Sequence, residues 1–254
     1  MMAHLTCLLF VLWVGVSVST VVDLQKRIYG GKDCDKKERL YHVSLSKKSD
    51  GKPGDCGGSL ITNQWVLTAA HCKTNPIKYA VVNVHPGPGN AEEIEDIKPH
   101  PQVDLMLLKL KKPITTISPV ALPYCKDKNN NIIDEPKIGR DVQIAGHGDY
   151  KIDKKTGKKL TSYPSELQCA AMRVADCEPI KNDPDYSHVP YDHRMCYKDT
   201  QVDTCAGDSG GGVIYNNMIY GVHIGGDTCV FTEPAVSVKV CFYLDWINQT
   251  MENN

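Results

Sequence analysis

Three short clusters in this sequence hold residue types that together could carry out nucleophilic catalysis. A histidine lies in Thr-Ala-Ala-His-Cys at residues 68–72, an aspartate opens Asp-Leu-Met-Leu-Leu at residues 104–108, and a serine lies in Gly-Asp-Ser-Gly-Gly at residues 207–211. A serine hydroxyl is a poor nucleophile until a base takes its proton, and a neutral histidine oriented by an aspartate is such a base. Taken singly, these residue types are common, and His71 alone would as often be a structural histidine.

Together, and in the order histidine, aspartate, serine, the clusters resemble the chymotrypsin/trypsin family of serine proteases. The resemblance runs from residue 28 to about residue 251. It implies that Ser209 is the nucleophile, that His71 is the base and then the acid, and that Asp104 orients the histidine. It also implies that the N–H groups of Gly207 and Ser209 form an oxyanion hole.

The segment Arg-Ile-Tyr-Gly-Gly at residues 27–31 resembles the activation site of the same family. Cleavage after Arg27 by an activating protease would free the amine of Ile28, which would fold inward and pair with Asp208. A buried carboxylate left without its partner costs about 3–5 kcal/mol. We therefore expect Asp208 to act as a switch for the oxyanion hole and the chain to be a zymogen.

Substrate preference is expected to depend on Asp203, six residues before Ser209. The resemblance implies that this carboxylate lies at the base of the primary pocket and pairs with Arg or Lys of a protein or peptide substrate, because a buried carboxylate rejects apolar side chains. Gly226 matches one glycine of the pocket wall, and Ala235 replaces the second. Its methyl group narrows the pocket and leaves the choice between Arg and Lys open. The alternative, a solvated loop aspartate, would mean another specificity.

Eleven cysteines are too many for a reducing compartment unless they bind metal. The usual metal spacing, Cys-x-x-Cys, is absent from the sequence, so disulfides are favoured. Residue types and spacing alone leave their pairing open. Under the resemblance, ten cysteines pair without remainder, as Cys34–Cys169, Cys56–Cys72, Cys125–Cys241, Cys177–Cys196 and Cys205–Cys229.

The N-terminal segment has the pattern of a secretory signal peptide. Residues 5–18 are almost wholly apolar and are followed by small residues, a stretch too short to cross a bilayer. We expect a signal peptide at residues 1–19 and an activation peptide at residues 20–27, the alternative being a buried N-terminal helix. In a secreted chain, Asn248 in Asn-Gln-Thr is a glycosylation sequon.

Composition excludes several classes of protein. Hydrophobic residues make up 41% of the 254 residues, which excludes wholesale disorder. The 29 basic and 30 acidic side chains nearly cancel, so no strong attraction to nucleic acid or to an anionic membrane follows. We expect a secreted monomer without a cofactor, and the resemblance adds protein protease inhibitors as partners.

Short apolar or alternating runs separated by Gly, Pro, Asn and Asp are typical of an antiparallel barrel or sandwich. Residues 242–251 have apolar side chains at helical spacing and predict a closing amphipathic helix. The resemblance narrows the fold to an all-β, chymotrypsin-like pair of antiparallel six-stranded β-barrels, at residues 28–117 and 118–254, with a C-terminal α-helix; residues 28–254 would form one S1-type peptidase domain. The runs cover residues 41–45, 58–61, 65–68, 80–84, 105–110, 142–145, 167–173, 211–215, 218–224 and 235–240.

The sequence departs from the family in two places near the expected site. Only 32 residues separate His71 from Asp104, so the calcium loop of the family looks trimmed. We expect no metal site, although residues 92–96 are acidic, and interpret that run as a solvated loop or strand edge. The wall strand reads Ile-Gly-Gly at residues 224–226 where relatives usually have Ser-Trp-Gly. A hydroxyl that supports the catalytic aspartate and an aromatic floor are therefore both absent.

These departures leave a second class of function open. A catalytically weak or inactive relative that acts as a binding protein would also have an altered cleft. Such relatives usually lose the histidine, the aspartate or the serine, and all three residue types are present here. The leading hypothesis is a secreted endopeptidase that cuts after Arg or Lys through an acyl-enzyme.

Overall fold

Two closed antiparallel barrels and one α-helix organise the part of the chain that the structure describes. The computed structural model describes residues 28–50, 52, 54, 56–74, 76–125, 135–148, 151–152, 159–160, 166–226 and 232–254. The predicted fold class is confirmed. The strands are β1 (Lys32–Asp33), β2 (His42–Ser46), β3 (Cys56–Leu60), β4 (Trp65–Thr68), β5 (Tyr79–Val82), β6 (Asn90–Pro99), β7 (Met106–Leu110), β8 (Asp141–Gly146), β9 (Lys151–Ile152), β10 (Lys159–Leu160), β11 (Gln168–Ala175), β12 (Arg194–Lys198), β13 (Gly212–Tyr215), β14 (Met218–Gly225) and β15 (Ala235–Lys239).

The first barrel has the strand order β2-β3-β4-β7-β6-β5, and pairing of β2 with β5 closes it. Strands β4 and β7 pair directly and are almost wholly buried. Their residues Val66, Leu67, Leu107 and Leu108 are fully buried, as expected for a small barrel filled by side chains. Because β7 begins just after Asp104 and β4 ends just before His71, this buried pair of strands sets the distance between Asp104 and His71.

The second barrel has the order β8-β11-β12-β15-β14-β13, and β8 closes it by pairing with both β11 and β13. Strand β1 adds to the outside of β11, with Lys32 opposite Cys169. The first described strand of the chain therefore belongs to the second barrel, although the strands that follow it build the first. Strands β9 and β10 form a separate antiparallel pair.

The C-terminal segment begins as a 3₁₀ turn at Val240–Tyr243 and continues as α1 (Leu244–Glu252). Ile247 is fully buried, Tyr243 is buried, and Trp246 and Met251 pack against the core from its edge. This is the apolar face that helical spacing predicts. Asn248 is exposed on α1. Among the described residues, no helix is long and apolar enough to span a membrane.

Disulfides attach loops to both barrels. Four of the five pairs that the resemblance implies are present: Cys34–Cys169, Cys56–Cys72, Cys125–Cys241 and Cys177–Cys196. Cys205 is also disulfide-bonded, and its expected partner Cys229 lies outside the described residues. Each such bond typically stabilises a fold by about 2–4 kcal/mol, mainly by restricting the unfolded chain.

Candidate active site

His71 lies in a 3₁₀ turn at Ala70–Thr74, directly after β4. The disulfide between Cys56 and Cys72 ties this turn back to β3. The His71 side chain is 41% exposed, so its ring is accessible to solvent although the disulfide holds the turn that carries it.

Asp104 precedes β7 and is 8% exposed. Its Oδ1 accepts a hydrogen bond from the backbone N–H of His71 at 2.7 Å, and its Oδ2 lies 2.6 Å from His71 Nδ1. Burial raises the pKa of Asp104, but the hydrogen bonds and charge of His71 outweigh burial and hold that pKa below its usual value. An ionised Asp104 keeps a proton on Nδ1, so the neutral imidazole has Nε2 available to accept a proton.

Ser209 belongs to the second barrel, but its backbone is attached to the first. Its carbonyl accepts a hydrogen bond from the N–H of Gly57 in β3 at 2.7 Å and lies 4.0 Å from Cys72 Sγ. Since Cys72 follows His71 in sequence, these contacts hold residues 207–211, which we call the nucleophile segment, beside the histidine. The candidate site therefore lies where the two barrels meet.

Glycine is required on both sides of Ser209. Gly207 has φ 98° and Gly210 has φ 82°, both in the left-handed region that favours glycine. A Cβ atom on Gly210 would collide with Thr68 Oγ1 and with the carbonyl of Gly57. The Gly-Asp-Ser-Gly-Gly motif therefore lets the nucleophile segment turn tightly while lying directly against β3 and β4.

Asp208, which precedes Ser209, is 3% exposed. Its carboxylate accepts hydrogen bonds from the N–H groups of Gly148 and Cys205, each at 2.8 Å. Burial raises the pKa of Asp208 to about 7, although both hydrogen bonds act in the opposite direction. The side chain of Ile28 is fully buried and lines, with Asp208, a cavity of about 10 Å³. The structure thus brings together two of the residues predicted for activation, whereas Arg27 lies outside the described residues.

Asp203 is 2% exposed, and its Oδ1 accepts a hydrogen bond from the N–H of Thr204 at 2.9 Å. Its own N–H donates to the carbonyl of Tyr29 at 3.0 Å, so the segment that follows Ile28 is paired with the segment that holds Asp203. Gly226 and Ala235 lie side by side, because a Cβ atom on Gly226 would be 3.1 Å from the Ala235 Cα. The same Cβ would be 3.0 Å from Thr204 Oγ1, which brings both wall residues beside the Asp203 segment.

Residue types that bind metals come together at Cys56, His71 and Cys72 among the described residues. The two sulfur atoms are bonded to each other and the histidine holds Asp104, so this group has no thiolate to offer a metal. The acidic run at residues 92–96 lies on β6, where three of its carboxylates pair with lysines: Glu93 with Lys111, Glu95 with Lys109 and Asp96 with Lys98.

A buried polar network next to the site was not predicted from the sequence. Tyr197 Oη lies 2.7 Å from His223 Nδ1 and 2.9 Å from Ser237 Oγ, and all three side chains are buried. Burial lowers the pKa of His223 to about 3, so this histidine is neutral. The available signal was polar residues within the apolar runs that became β14 and β15.

The network is connected to the nucleophile segment through the backbone. The N–H of Gly210 donates to the carbonyl of His223 at 2.8 Å, and the N–H of His223 donates to the carbonyl of Gly211 at 2.9 Å. His223 therefore fixes the wall strand β14 against the segment that contains Ser209. Ile224, which follows it, is buried, and its side chain carries no hydroxyl group.

Comparison with known proteins agrees with this geometry. A family model described as Trypsin matches residues 28–247. Trypsin-4 of Rattus norvegicus is 33% identical over 97% of this chain and 98% of its own length, and glandular kallikrein of Sus scrofa is 29% identical over 91% and 98%. A solved structure of neuropsin, a serine protease expressed in the limbic system of mouse brain, has a TM-score of 0.71 and 25% identity, covering 87% of this chain and 98% of that chain. The chain therefore belongs to the trypsin family of serine proteases.

Proposed function

We propose that this chain is a secreted endopeptidase that hydrolyses the peptide bond after Arg or Lys and is made as a zymogen activated by cleavage after Arg27. The observation that carries the proposal is the 2.6 Å contact between Asp104 and His71, at the place where the Ser209 backbone joins β3. An oriented neutral histidine beside a serine on a glycine-rich turn is suited to acyl transfer.

In the proposed mechanism, Ser209 Oγ attacks the substrate carbonyl carbon while His71 Nε2 takes the hydroxyl proton. The oxyanion receives hydrogen bonds from the N–H groups of Gly207 and Ser209, each worth about 3 kcal/mol in the transition state. His71 then gives its proton to the leaving amine as the C–N bond breaks, which leaves an acyl-enzyme. A water molecule then attacks the acyl-enzyme while His71 takes its proton, which releases the acid and regenerates Ser209. Asp104 stabilises the imidazolium in both acylation and deacylation.

The proposed preference for Arg or Lys rests on the burial of Asp203. A carboxylate that is 2% exposed gains a counter-ion from a basic substrate side chain and gains none from an apolar side chain. The methyl group of Ala235 beside Gly226 narrows the wall, so the proposal covers both basic residues without choosing between them.

The zymogen part of the proposal rests on Asp208 and Ile28. Cleavage after Arg27 gives Ile28 an ammonium group, and the buried Asp208 carboxylate is its counter-ion. We assign residues 1–19 to a signal peptide, 20–27 to an activation peptide, 28–117 to the first barrel unit and 118–254 to the second with its helix. We further propose that the substrates are proteins or peptides, that another protease activates the chain and that protein inhibitors bind it. The proposal also includes a glycan on Asn248 and a monomeric state.

The proposal is tested by hydrolysis of matched Arg, Lys and Tyr peptide p-nitroanilides before and after cleavage at Arg27, with Ser209→Ala as the control. We expect turnover of the Arg and Lys substrates only after cleavage and a loss of about 10⁶-fold in Ser209→Ala. Turnover of the Tyr substrate alone would contradict the role of Asp203. No turnover by a correctly cleaved, folded chain would favour the second candidate, an inactive binding protein, to which the altered wall strand at residues 224–226 points.

A further inference from the structure

Two buried histidines contact each other across the boundary between the two barrels. His42 begins β2 in the first barrel, and His147 directly follows β8 in the second. Their ring centroids are 5.5 Å apart, and the two residues are 3% and 2% exposed. We call this pair the histidine contact. The proposed mechanism makes no use of it.

The histidine contact is joined to the nucleophile segment from both barrels. A Cβ atom on Gly57 would lie 3.0 Å from His42 Cε1, so this imidazole packs directly against the residue whose N–H donates to the carbonyl of the nucleophile. His147 precedes Gly148, whose N–H donates to Asp208 Oδ1 at 2.8 Å. Separation of the two rings would therefore disturb both hydrogen bonds that hold the segment.

A buried arginine adds a fixed positive charge to the same boundary. Arg39 is 4% exposed, and its guanidinium donates hydrogen bonds to Tyr41 Oη at 3.1 Å and to Gln143 Oε1 on β8 at 3.2 Å. Its Nε has no hydrogen-bond partner among the described residues, and the carboxylate of Glu38 is 3.9 Å away and 36% exposed. Burial raises the pKa of Tyr41, so both hydrogen-bond acceptors are neutral and leave the charge of Arg39 in place.

Protonation of His42 is unfavourable in this environment. Burial lowers the pKa of His42 well below its usual value of 6.5. Nearby positive groups lower it further, namely His147, Arg39 and His85. His85 is itself 3% exposed, and its Nε2 lies 2.7 Å from the carbonyl oxygen of Asp35. An imidazolium has two N–H donors, whereas His42 Nε2 is buried without a hydrogen-bond partner in the part of the chain that the structure describes.

The buried carboxyl group of Asp208 does not offset these positive charges. It lies against Gly146 and Gly148, where a Cβ atom would collide with it. Because successive side chains of an extended chain point to opposite sides, His147 between these glycines faces away from Asp208 and toward His42. At an effective dielectric constant of about 20, two unit charges at the separation of these rings disfavour double protonation by about 10²-fold.

We propose that the histidine contact is an acid-sensitive device that holds the nucleophile segment: both imidazoles are neutral and in contact at neutral pH, and protonation at acidic pH separates them and reversibly releases the segment. The enzyme then loses activity at acidic pH for a reason distinct from protonation of His71. The part of this inference that concerns the fold stands alone, and only the part that concerns activity rests on the proposed endopeptidase function.

The first test measures stability by urea unfolding of the Ser209→Ala chain at pH 7.5 and pH 4.5. A histidine whose folded pKa is lowered contributes stability that is present above its unfolded pKa of 6.5 and is lost as pH falls below that value. His42→Gln should therefore make the change in the unfolding constant between the two pH values about 10²-fold smaller than in the parent. Other titrating groups, including Asp208, are common to both chains and cancel in this comparison.

Ser59→Ala is the matched control, because Ser59 is buried opposite His42 on β3 and does not titrate. We expect it to lower stability at both pH values and to leave the pH-dependent change as in the parent. His147→Phe keeps a ring, removes the second titrating group and should act in the same direction as His42→Gln, so it decides the question if His42→Gln does not fold. A pH-dependent change equal to that of the parent in these histidine variants would overturn the proposal.

Hydrogen exchange locates the effect within the fold. In the Ser209→Ala chain, the N–H of Gly57 should exchange faster at pH 5 than at pH 7.5 after correction for the intrinsic exchange rate, while the amides of β7 keep their protection. His42→Gln should remove this difference. Equal changes in β3 and β7 would mean global unfolding and would contradict a release of the nucleophile segment.

Activity separates this inference from the proposed function. In the chain cleaved after Arg27, protonation of His71 alone makes log kcat/KM for an Arg p-nitroanilide rise by about one per pH unit. We expect a steeper rise below pH 6 in the parent, full recovery on return to pH 7.5, and a one-proton rise in His42→Gln. A one-proton rise in the parent would contradict the proposal. A chain that hydrolyses no peptide would overturn the endopeptidase function, and the urea and exchange measurements would still decide on the histidine contact.

Discussion

A single carboxylate orients the candidate catalytic histidine, His71, from two directions. Asp104 accepts the backbone N–H of His71 with one oxygen and faces Nδ1 with the other. The hydrogen bond to the backbone fixes where the 3₁₀ turn lies, and the contact with Nδ1 fixes the tautomer. The two contacts together therefore hold both the turn and the ring of His71 relative to Asp104.

We predict that Asp104→Asn lowers kcat toward an Arg p-nitroanilide by about 10⁴-fold with little change in KM, because an amide favours the wrong tautomer of the histidine. The measurement is steady-state kinetics on the chain cleaved after Arg27. Asp96→Asn is the control, since Asp96 is a partly exposed aspartate on β6 that pairs with Lys98. A kcat within tenfold of the parent in Asp104→Asn would exclude the orienting role.

Among the elements, three strands of the second barrel are joined by one hydroxyl. Tyr197 on β12 contacts His223 on β14 and Ser237 on β15, and His223 and Ser237 are also register partners. The strand that carries His223 holds the nucleophile segment through Gly210. The packing of this barrel and the position of Ser209 are therefore coupled through a buried polar contact.

Tyr197→Phe should lower the free energy of unfolding by about 1–3 kcal/mol, because it leaves buried groups of His223 and Ser237 without the shared hydroxyl. Urea unfolding of the Ser209→Ala chain measures this without self-digestion. Tyr215→Phe, which removes a hydroxyl from the neighbouring strand β13, should change stability by less than about 0.5 kcal/mol. Equal losses in the two variants would argue against the network.

The sequence predicts most elements, and the exceptions have physical causes. Each of the ten predicted runs overlaps a strand, but β6, β12 and the two-residue strands β1, β9 and β10 were missed. Strand β6 carries the acidic run and is only partly buried, so it lacks the apolar alternation by which strands are recognised. Strand β12 is buried, but it contains Arg194 and Tyr197, whose polar groups find partners only in the folded barrel.

The same distinction applies to the site. The triad motifs are local and could be identified from their neighbours in sequence. A contact between Tyr186 and Gly225 joins residues far apart in the chain, and no spacing rule connects them. The sequence indicates that an aromatic residue is absent at Gly225, whereas the Tyr186 ring that lies against Gly225 could be identified only in the folded structure.

At the scale of the whole molecule, stability depends on the ionisation of Asp208. With the Arg27–Ile28 bond intact, burial raises the pKa of Asp208 from 3.8 to about 7. A carboxyl group whose folded pKa is raised stabilises the fold below its unfolded pKa of 3.8, and that contribution is lost as pH rises through about 7. An ionised buried group therefore destabilises the uncleaved chain at neutral pH, and in the proposed activation the ammonium group of Ile28 would be its counter-ion.

We predict that cleavage after Arg27 raises the free energy of unfolding more at pH 7.5 than at pH 4.5, with a difference of about 3 kcal/mol from the Asp208 shift. Urea unfolding of Ser209→Ala before and after cleavage measures both values. Asp208→Asn is the control, because it removes the titratable group at this position. In that variant the gain on cleavage should no longer depend on pH, whereas a pH-independent gain in the parent would contradict the prediction.

In the proposed zymogen, the pairing of Tyr29 with Asp203 would make activation and ligand binding reciprocal. It joins the segment that follows Ile28, the proposed new terminus, to the carboxylate that we propose binds a cation, so each event would order a part of what the other needs. Thermodynamic linkage then requires that a ligand in the primary pocket favour burial of the new terminus by the same factor by which that burial favours the ligand. A small cation that binds the proposed pocket should consequently favour ordering of the Ile28 segment in the uncleaved chain.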